Sequence, residues 1–343
     1  MSLQFDTAIQ ALSRGAQAKK ADERLETRLA DVQGFLATEL AEVEKVLAVA
    51  VEDGPEPGAS AARHLVSRGG KRVRPLALLL AGRCYGGEGA AFAEMAGVVE
   101  LVHSATLLHD DVVDEGMERR GAPTSRRLWG NGVSVLSGDL LLVNALERTR
   151  QAAPELLGEL IATLRRLVDG EIVQLRGRTE LDVSEATYYR VLEDKTASLF
   201  SFAARSGAFM AGAPEAGQKA LAEFGEALGV AFQLIDDVID YSGQETGKAL
   251  FADLGEGKIT LPLVLAIERR PELSLLVSRI HAGDAEPVAE VSRQVIESGA
   301  CDEVRRRARS YADKARAALE RIPVSPARQL LEIVALEMTA RLA

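Results

Sequence analysis

The chain predicts an all-α fold in a single domain, and three observations predict it. Apolar residues make up 47 % of its 343 positions while aromatics supply only 4 %, a balance that suits Ala- and Leu-rich packed helices better than sheets. Apolar positions recur at helical spacing, as in Leu29, Val32, Leu36, Leu40, Val43 and Leu47. The period-two alternation of a half-buried strand is essentially absent. No linker-like stretch or long charge block divides the sequence, so one domain is expected over residues 23–343, preceded by a polar, disordered segment at residues 1–22.

The elements follow from periodicity and breakers. A first helix is expected from about Glu23 to Glu52, where Asp53-Gly54-Pro55 stops it, and Pro57-Gly58 starts the next. A loop at Ser67–Arg74 leads into a helix over about 75–85, with Pro75 in its first turn. Further helices are expected near 89–114, 132–151, 155–175, 184–211, 215–241 and 260–269, then amphipathic segments to the end. Gly86-Gly87, Gly121-Ala-Pro123, Gly212-Ala-Pro214, Gly243, Gly255 and Gly257 separate them.

Composition removes several function classes. A net charge of −10 argues against nucleic-acid binding. Cys84 and Cys301, the only cysteines, build neither a disulfide framework nor a metal site; as small core residues they fit a cytoplasmic protein. No run long and apolar enough for a membrane span is expected, nor a signal peptide, so membrane contact would be transient at most.

Two acidic clusters carry the chemistry: Asp110-Asp111-Val-Val-Asp114 and Asp236-Asp237-Val-Ile-Asp240. Residues four apart share a helix face, so each cluster aims two carboxylates the same way from an apolar helix. Such carboxylates repel one another unless cations lie between them. Oxygen-only ligands favour Mg²⁺, which keeps waters and takes up phosphate oxygens. Two facing magnesium platforms with a polyphosphate between them are therefore expected. Asp111 points off the line of Asp110 and Asp114 and ranks below them as a ligand. His103 shares their face, and His109 reads as peripheral.

Cations lie near by in sequence. Gly69-Gly70-Lys71-Arg72-Val73-Arg74-Pro75 is a glycine-rich turn before a helix, a plausible diphosphate cradle. Arg119-Arg120 follows the first cluster, and arginine forks match phosphate oxygens. Lys195-Thr196 opens another apolar helix, and Gln233 lies one turn before the second cluster. Gly247-Lys248 and Gly257-Lys258 sit in a loop able to close over a ligand.

Taken in order, Gly69–Pro75, Asp110–Asp114 with Arg119-Arg120, Gly170-Glu-Ile-Val-Gln174, Lys195-Thr196, Phe232-Gln233 through Asp240, Gly247-Lys248 and Gly257-Lys258-Ile-Thr-Leu-Pro262 resemble the trans-isoprenyl diphosphate synthases over about residues 25–340. The resemblance implies a bundle of antiparallel helices around a deep central cavity, usually as a homodimer. It implies condensation of an allylic diphosphate, farnesyl or geranylgeranyl diphosphate, with isopentenyl diphosphate. By the same carry-over Asp110, Asp114 and Asp236 bind several Mg²⁺ ions, with Asp240 in support. Arg119, Lys195 and Lys248 hold the allylic diphosphate. Lys71, Arg74, His103 and Arg120 hold isopentenyl diphosphate, and Lys258 joins the substrate-binding residues. Thr196 and Gln233 line the reacting centre, which makes Lys195, Thr196, Gln233, Asp110 and Asp236 the catalytic set. A terpene cyclase would have a different second metal motif and no need of the Gly69–Pro75 cradle. A non-catalytic regulatory subunit would have lost its metal ligands.

Product length is expected to depend on the residues beneath the first cluster. Thr106 lies one turn before Asp110 with Ala105 beside it, and Val102 and Leu101 occupy the next turn. These side chains are small, the acidic motif is unexpanded, and the stretch from His103 to Asp114 resembles octaprenyl- and solanesyl-type synthases. A long, octaprenyl-like product is expected; the alternative is a shorter geranylgeranyl- or hexaprenyl-type product. Leu142, Val143 and Leu146 are candidate walls farther down.

Overall fold

A computed structural model describes residues 32, 34–242 and 251–340. Its helices are α1 (Ala37–Glu52), α2 (Gly58–Val66), α3 (Val73–Arg83), α4 (Ala90–Val113), α5 (Ser125–Trp129), α6 (Asn131–Ala152), α7 (Leu157–Glu180), α8 (Glu185–Leu192), α9 (Ser198–Met210), α10 (Glu215–Ser242), α11 (Ala252–Gly255), α12 (Leu261–Arg269), α13 (Leu273–His281), α14 (Val288–Glu297), α15 (Ala300–Leu319) and α16 (Pro326–Ala340). The expected all-α class is what the chain adopts. The stripe anticipated at the start is buried through Val32, Leu36, Val43 and Leu47, whereas Leu29 and the start of that helix fall outside the described residues.

α4 packs against α6 and α1, α9 bridges α3 and α10, and α10 lies along α15. One apolar core joins α1, α3, α4, α6, α9 and the first half of α10. A second joins the end of α10 to α12 through α15. Close approach between helices depends on small residues. A Cβ on Gly207 of α9 would lie 2.1 Å from the Leu78 carbonyl oxygen of α3, and one on Gly225 of α10 would lie 2.3 Å from that of Phe200. Neither backbone contact can yield, so only glycine fits.

One expectation needs correction. α4 is long and apolar enough to cross a membrane, with mean hydropathy 1.3, contrary to the sequence reading. In the fold 72 % of that window is buried, so it is the central core helix. The helix expected over 184–211 runs continuously from α8 into α9, through a π-helical turn at Glu193–Ala197. Among the described residues strand is confined to a two-residue ladder pairing Glu118 with Pro123 and Arg119 with Ala122, in keeping with the expected near-absence of alternation. The linking residues, Arg120 and Gly121, have φ of 53° and 70°, the left-handed pair that a tight hairpin requires. So short a ladder shows no alternation in sequence.

Candidate active site

The ends of α4 and α10, the hairpin, α7, the π turn and the loop before α3 surround one cavity of about 1220 Å³. Its acidic side comes first. Asp110 and Asp114 stand one turn apart at the end of α4, as 3.6-residue periodicity requires. Asp110 Oδ2 lies 3.4 Å from Lys195 Nζ, and Lys195 also pairs with Glu171. Asp114 receives Arg178 Nη2 on Oδ1 at 2.6 Å and Lys258 Nζ on Oδ2 at 3.0 Å. Burial pushes the Asp114 carboxyl up, but Lys258 and Arg178 outweigh it and hold the group below its ordinary range. Asp111 turns away, as its position in the helix dictates. It is 2 % exposed and accepts from Arg119 Nε at 2.7 Å, so it aims that arginine.

Across the cavity, Asp236 and Asp237 lie in the wall, while Asp240 is buried and outside the lining residues. Asp237 accepts from Tyr188 OH at 2.6 Å and from Gln233 Nε2 at 2.9 Å. Gln233 Oε1 in turn accepts from Thr196 Oγ1 at 3.2 Å. Thr196, Gln233, Asp237 and Tyr188 thus form one hydrogen-bonded chain across three helical segments. Burial, with Asp253 near by, pushes the Asp237 carboxyl up to about 7. Sequence reading missed Tyr188, because a tyrosine in an amphipathic helix carries no signal of its distant carboxylate partner. The sequence pattern by itself gives no reason for Gly170. A Cβ there would lie 2.9 Å from the Lys195 backbone nitrogen, so the glycine lets α7 seat the turn that carries Lys195 and Thr196.

The basic side is built from the loop before α3 and the hairpin. Arg72 adopts φ 50° and turns inward, where Nη1 donates to Glu100 at 2.6 Å and Nε to Glu44 at 2.7 Å. This anchor fixes the loop, whose Arg68, Lys71, Arg72 and Arg74 all border the cavity together with Arg119 and Arg120. Arg120 donates to the Gly69 carbonyl, tying the hairpin to the loop. Arg74 is stacked with its guanidinium carbon 4.5 Å from the centre of the Phe200 ring, and its buried Nε has no hydrogen-bond partner. Burial pushes Arg74 down to about 10. Burial, then Arg74, Arg120, Arg119 and Arg72, drives His103 well below its usual range, so it is neutral. Crowded cations with an unsatisfied buried donor are costly unless an anion completes the group.

Among the described residues, no three His, Cys, Asp or Glu side chains converge on a ready-made metal site. The carboxylates Asp110, Asp114 and Asp236 nevertheless share one cavity, and two of them already hold lysine or arginine side chains in place of other cations. That all-oxygen donor set fits a hard divalent ion.

The sequence pattern of polyprenyl synthetases matches residues 57–298 of this chain. The chain belongs to the polyprenyl synthetase family. It is 40 % identical over 277 residues to the octaprenyl diphosphate synthase of Escherichia coli, covering 78 % of this chain and 85 % of that one. It is 34 % identical to heptaprenyl diphosphate synthase component 2 of Geobacillus stearothermophilus, over 92 % of this chain and 99 % of that one. The structure of a Caulobacter crescentus polyprenyl synthase complexed with calcium and isoprenyl diphosphate superposes with a TM-score of 0.86, at 35 % identity, over 94 % and 99 % of the two chains. The protein is accordingly a trans-prenyl diphosphate synthase.

The synthase cavity is also lined by apolar side chains, among them Leu107, Leu142, Leu164, Leu167 and Val168. Thr106 lies in this wall and donates to the His103 carbonyl at 2.7 Å. Ala105, Val102 and Leu101 do not line it; all three are fully buried in the core behind α4. Of the farther candidates, Leu142 lines the cavity, Leu146 packs on the core and Val143 faces outward. Only one face of α4 borders the cavity, and neighbours one residue apart in sequence are turned from it by about 100°. Lys248 lies outside the described residues.

Proposed function

We propose that this synthase extends an allylic diphosphate, farnesyl or geranylgeranyl diphosphate, with successive isopentenyl diphosphate units to a long, octaprenyl-like all-trans polyprenyl diphosphate, with Mg²⁺ as its metal. One observation carries the reading: a single cavity is lined by acidic side chains, by basic side chains among which the buried Arg74 Nε has no partner, and by apolar side chains. A magnesium–diphosphate complex satisfies the acidic and basic groups at once, and a growing prenyl chain suits the apolar ones.

In this reading Asp110, Asp114 and Asp236 hold the metal, with Asp240 in support; bound there, it would neutralise charge on the departing diphosphate. Lys195 and Arg119 take oxygens of the allylic diphosphate, and Lys258 is placed to do the same. Lys71, Arg74 and Arg120, with neutral His103 beside them, hold the second substrate. Heterolysis of the allylic C–O bond leaves a carbocation, which the Thr196 hydroxyl and the Gln233 amide oxygen face. The alkene of isopentenyl diphosphate attacks it, and proton loss to the departing diphosphate completes the step. Apolar walls exclude water from the cation.

A second copy of the chain is the natural partner. Val135, Leu136 and Val143 of α6 and Ile161, Val168 and Ile172 of α7 expose a run of apolar side chains. Val168 and Ile172 also line the cavity, so a partner packed there would close its side. The relative named as a component of a heptaprenyl synthase favours a second reading, in which the partner is a different chain. Incubation with Mg²⁺, farnesyl diphosphate and labelled isopentenyl diphosphate, followed by product mass spectrometry, tests the reaction. Light scattering of the purified chain separates the two assemblies. Cyclic hydrocarbons, or no turnover by the purified homomer, would overturn the proposal.

A further inference from the structure

We propose that Arg178 is a positioning residue for Asp114, gripping one carboxylate oxygen so that the other is presented to the cavity for a divalent ion. The inference rests on the magnesium–diphosphate reading above.

Asp114 is held by two cations that are not equivalent. Lys258 lines the cavity together with Asp114, and its ammonium meets Oδ2 at 3.0 Å. Arg178 is 13 % exposed in its side chain, is not among the described residues lining the cavity, and reaches Oδ1 at 2.6 Å. One oxygen is therefore held from outside the cavity and the other from within it.

The supports of the two cations differ in the same sense. Arg178 sits in the last turn of α7, and His281 Nδ1 lies 2.9 Å from its backbone carbonyl. A carbonyl oxygen only accepts, so Nδ1 carries the proton, and α13 pins the end of α7. Lys258 lies on the segment between α11 and α12, with Glu256 at 2.6 Å and Asp253 at 3.7 Å as alternative partners. Lys258 can leave Asp114 without becoming unpaired. A divalent ion taking Oδ2 displaces it, and its charge becomes available to a diphosphate oxygen. Arg178 stays, and by fixing Oδ1 it spares the ligand the cost of being oriented on binding. Partners that orient a metal ligand in this way typically change metal affinity by about 10- to 100-fold when removed.

The two cations therefore predict opposite effects on metal binding. Mn²⁺ binding to the full chain is measured by electron paramagnetic resonance, with and without inorganic pyrophosphate, and thermal shift serves as a second readout. Arg178→Met should weaken Mn²⁺ binding by about 10- to 100-fold in both conditions. Arg178→Lys should recover part of that loss. Lys258→Met should tighten Mn²⁺ binding in the absence of pyrophosphate, because a competing cation is gone. With saturating metal, Arg178→Met should keep the wild-type KM for isopentenyl diphosphate and need only more metal.

Unchanged or tighter Mn²⁺ binding in Arg178→Met overturns the assignment; tighter binding would make Arg178 a competitor like Lys258. If Arg178→Met does not fold, Arg178→Lys decides, since equal or tighter binding than wild type overturns the proposal equally. A wild-type chain that binds no Mn²⁺ even with pyrophosphate sinks the magnesium reading itself, a failure distinct from that of Arg178.

Discussion

Replacing Tyr188 with phenylalanine removes one hydroxyl from the chain that ends on Gln233 and Thr196. The lost bond, 2.6 Å to Asp237 Oδ2, is buried, and Asp237 is only 3 % exposed, so removing the donor costs more than at the surface. Its worth depends on pH. Asp237 has a carboxyl raised from 3.8 to about 7 by burial and by Asp253, so between those values the folded chain keeps a proton that the unfolded chain has lost. That contribution to stability is fully present below pH 3.8 and is lost as pH rises through 7, a swing of about 4 kcal/mol. At pH 8 Tyr188 donates to a carboxylate, and Tyr188→Phe should cost about 1.5–3 kcal/mol. At pH 5.5 it donates to a neutral acid, and the cost should fall to about 0.5–1.5 kcal/mol. Urea unfolding of metal-free protein at both pH values, at one protein concentration, measures the difference. Turnover should fall as well, because Tyr188 no longer helps to fix the carboxylate to which Gln233 Nε2 donates. An equal cost at the two pH values, or none, would show that the hydroxyl does not serve the ionised Asp237.

Other perturbations probe the remaining walls. Thr106→Phe puts an aromatic ring into the cavity wall and should shorten the longest product seen by mass spectrometry; unchanged product size would place the tunnel elsewhere. Gly170→Ala sets a methyl 2.9 Å from the Lys195 nitrogen and should lower kcat, with overpacking costing about 1–3 kcal/mol in urea unfolding. Arg74→Met should raise the KM for isopentenyl diphosphate by about 10- to 150-fold, the equivalent of a charged hydrogen bond of about 1.5–3 kcal/mol. It should not destabilise the ligand-free protein, because it removes a buried charge whose Nε has no partner; an unchanged KM would remove Arg74 from the substrate site.

Much of the candidate site was legible because its signals are local. Helical periodicity alone puts Asp110 in line with Asp114, and it turns Asp111 aside toward Arg119. The loop before α3 was readable as a basic turn, but not the division of labour within it. Arg72 borders the cavity but is committed to Glu44 and Glu100, whereas Arg74 keeps a buried Nε with no partner, and nothing in the local pattern tells one of these arginines from the other. Tyr188 and Arg178 were missed for the same reason. Each acts on a carboxylate 49 or 64 residues away, a separation at which spacing carries no information.

The amino-acid sequence by itself therefore determined the helical class, the two acidic faces and the basic turn, since each depends on interactions within a few turns of one helix or loop. Tertiary structure alone decided which of those charges share a cavity, which residues beneath Asp110 line it, and which cations Asp110 and Asp114 hold. Those outcomes depend on helices brought together by core burial and by close contacts at Gly170, Gly207 and Gly225, contacts that no local pattern encodes.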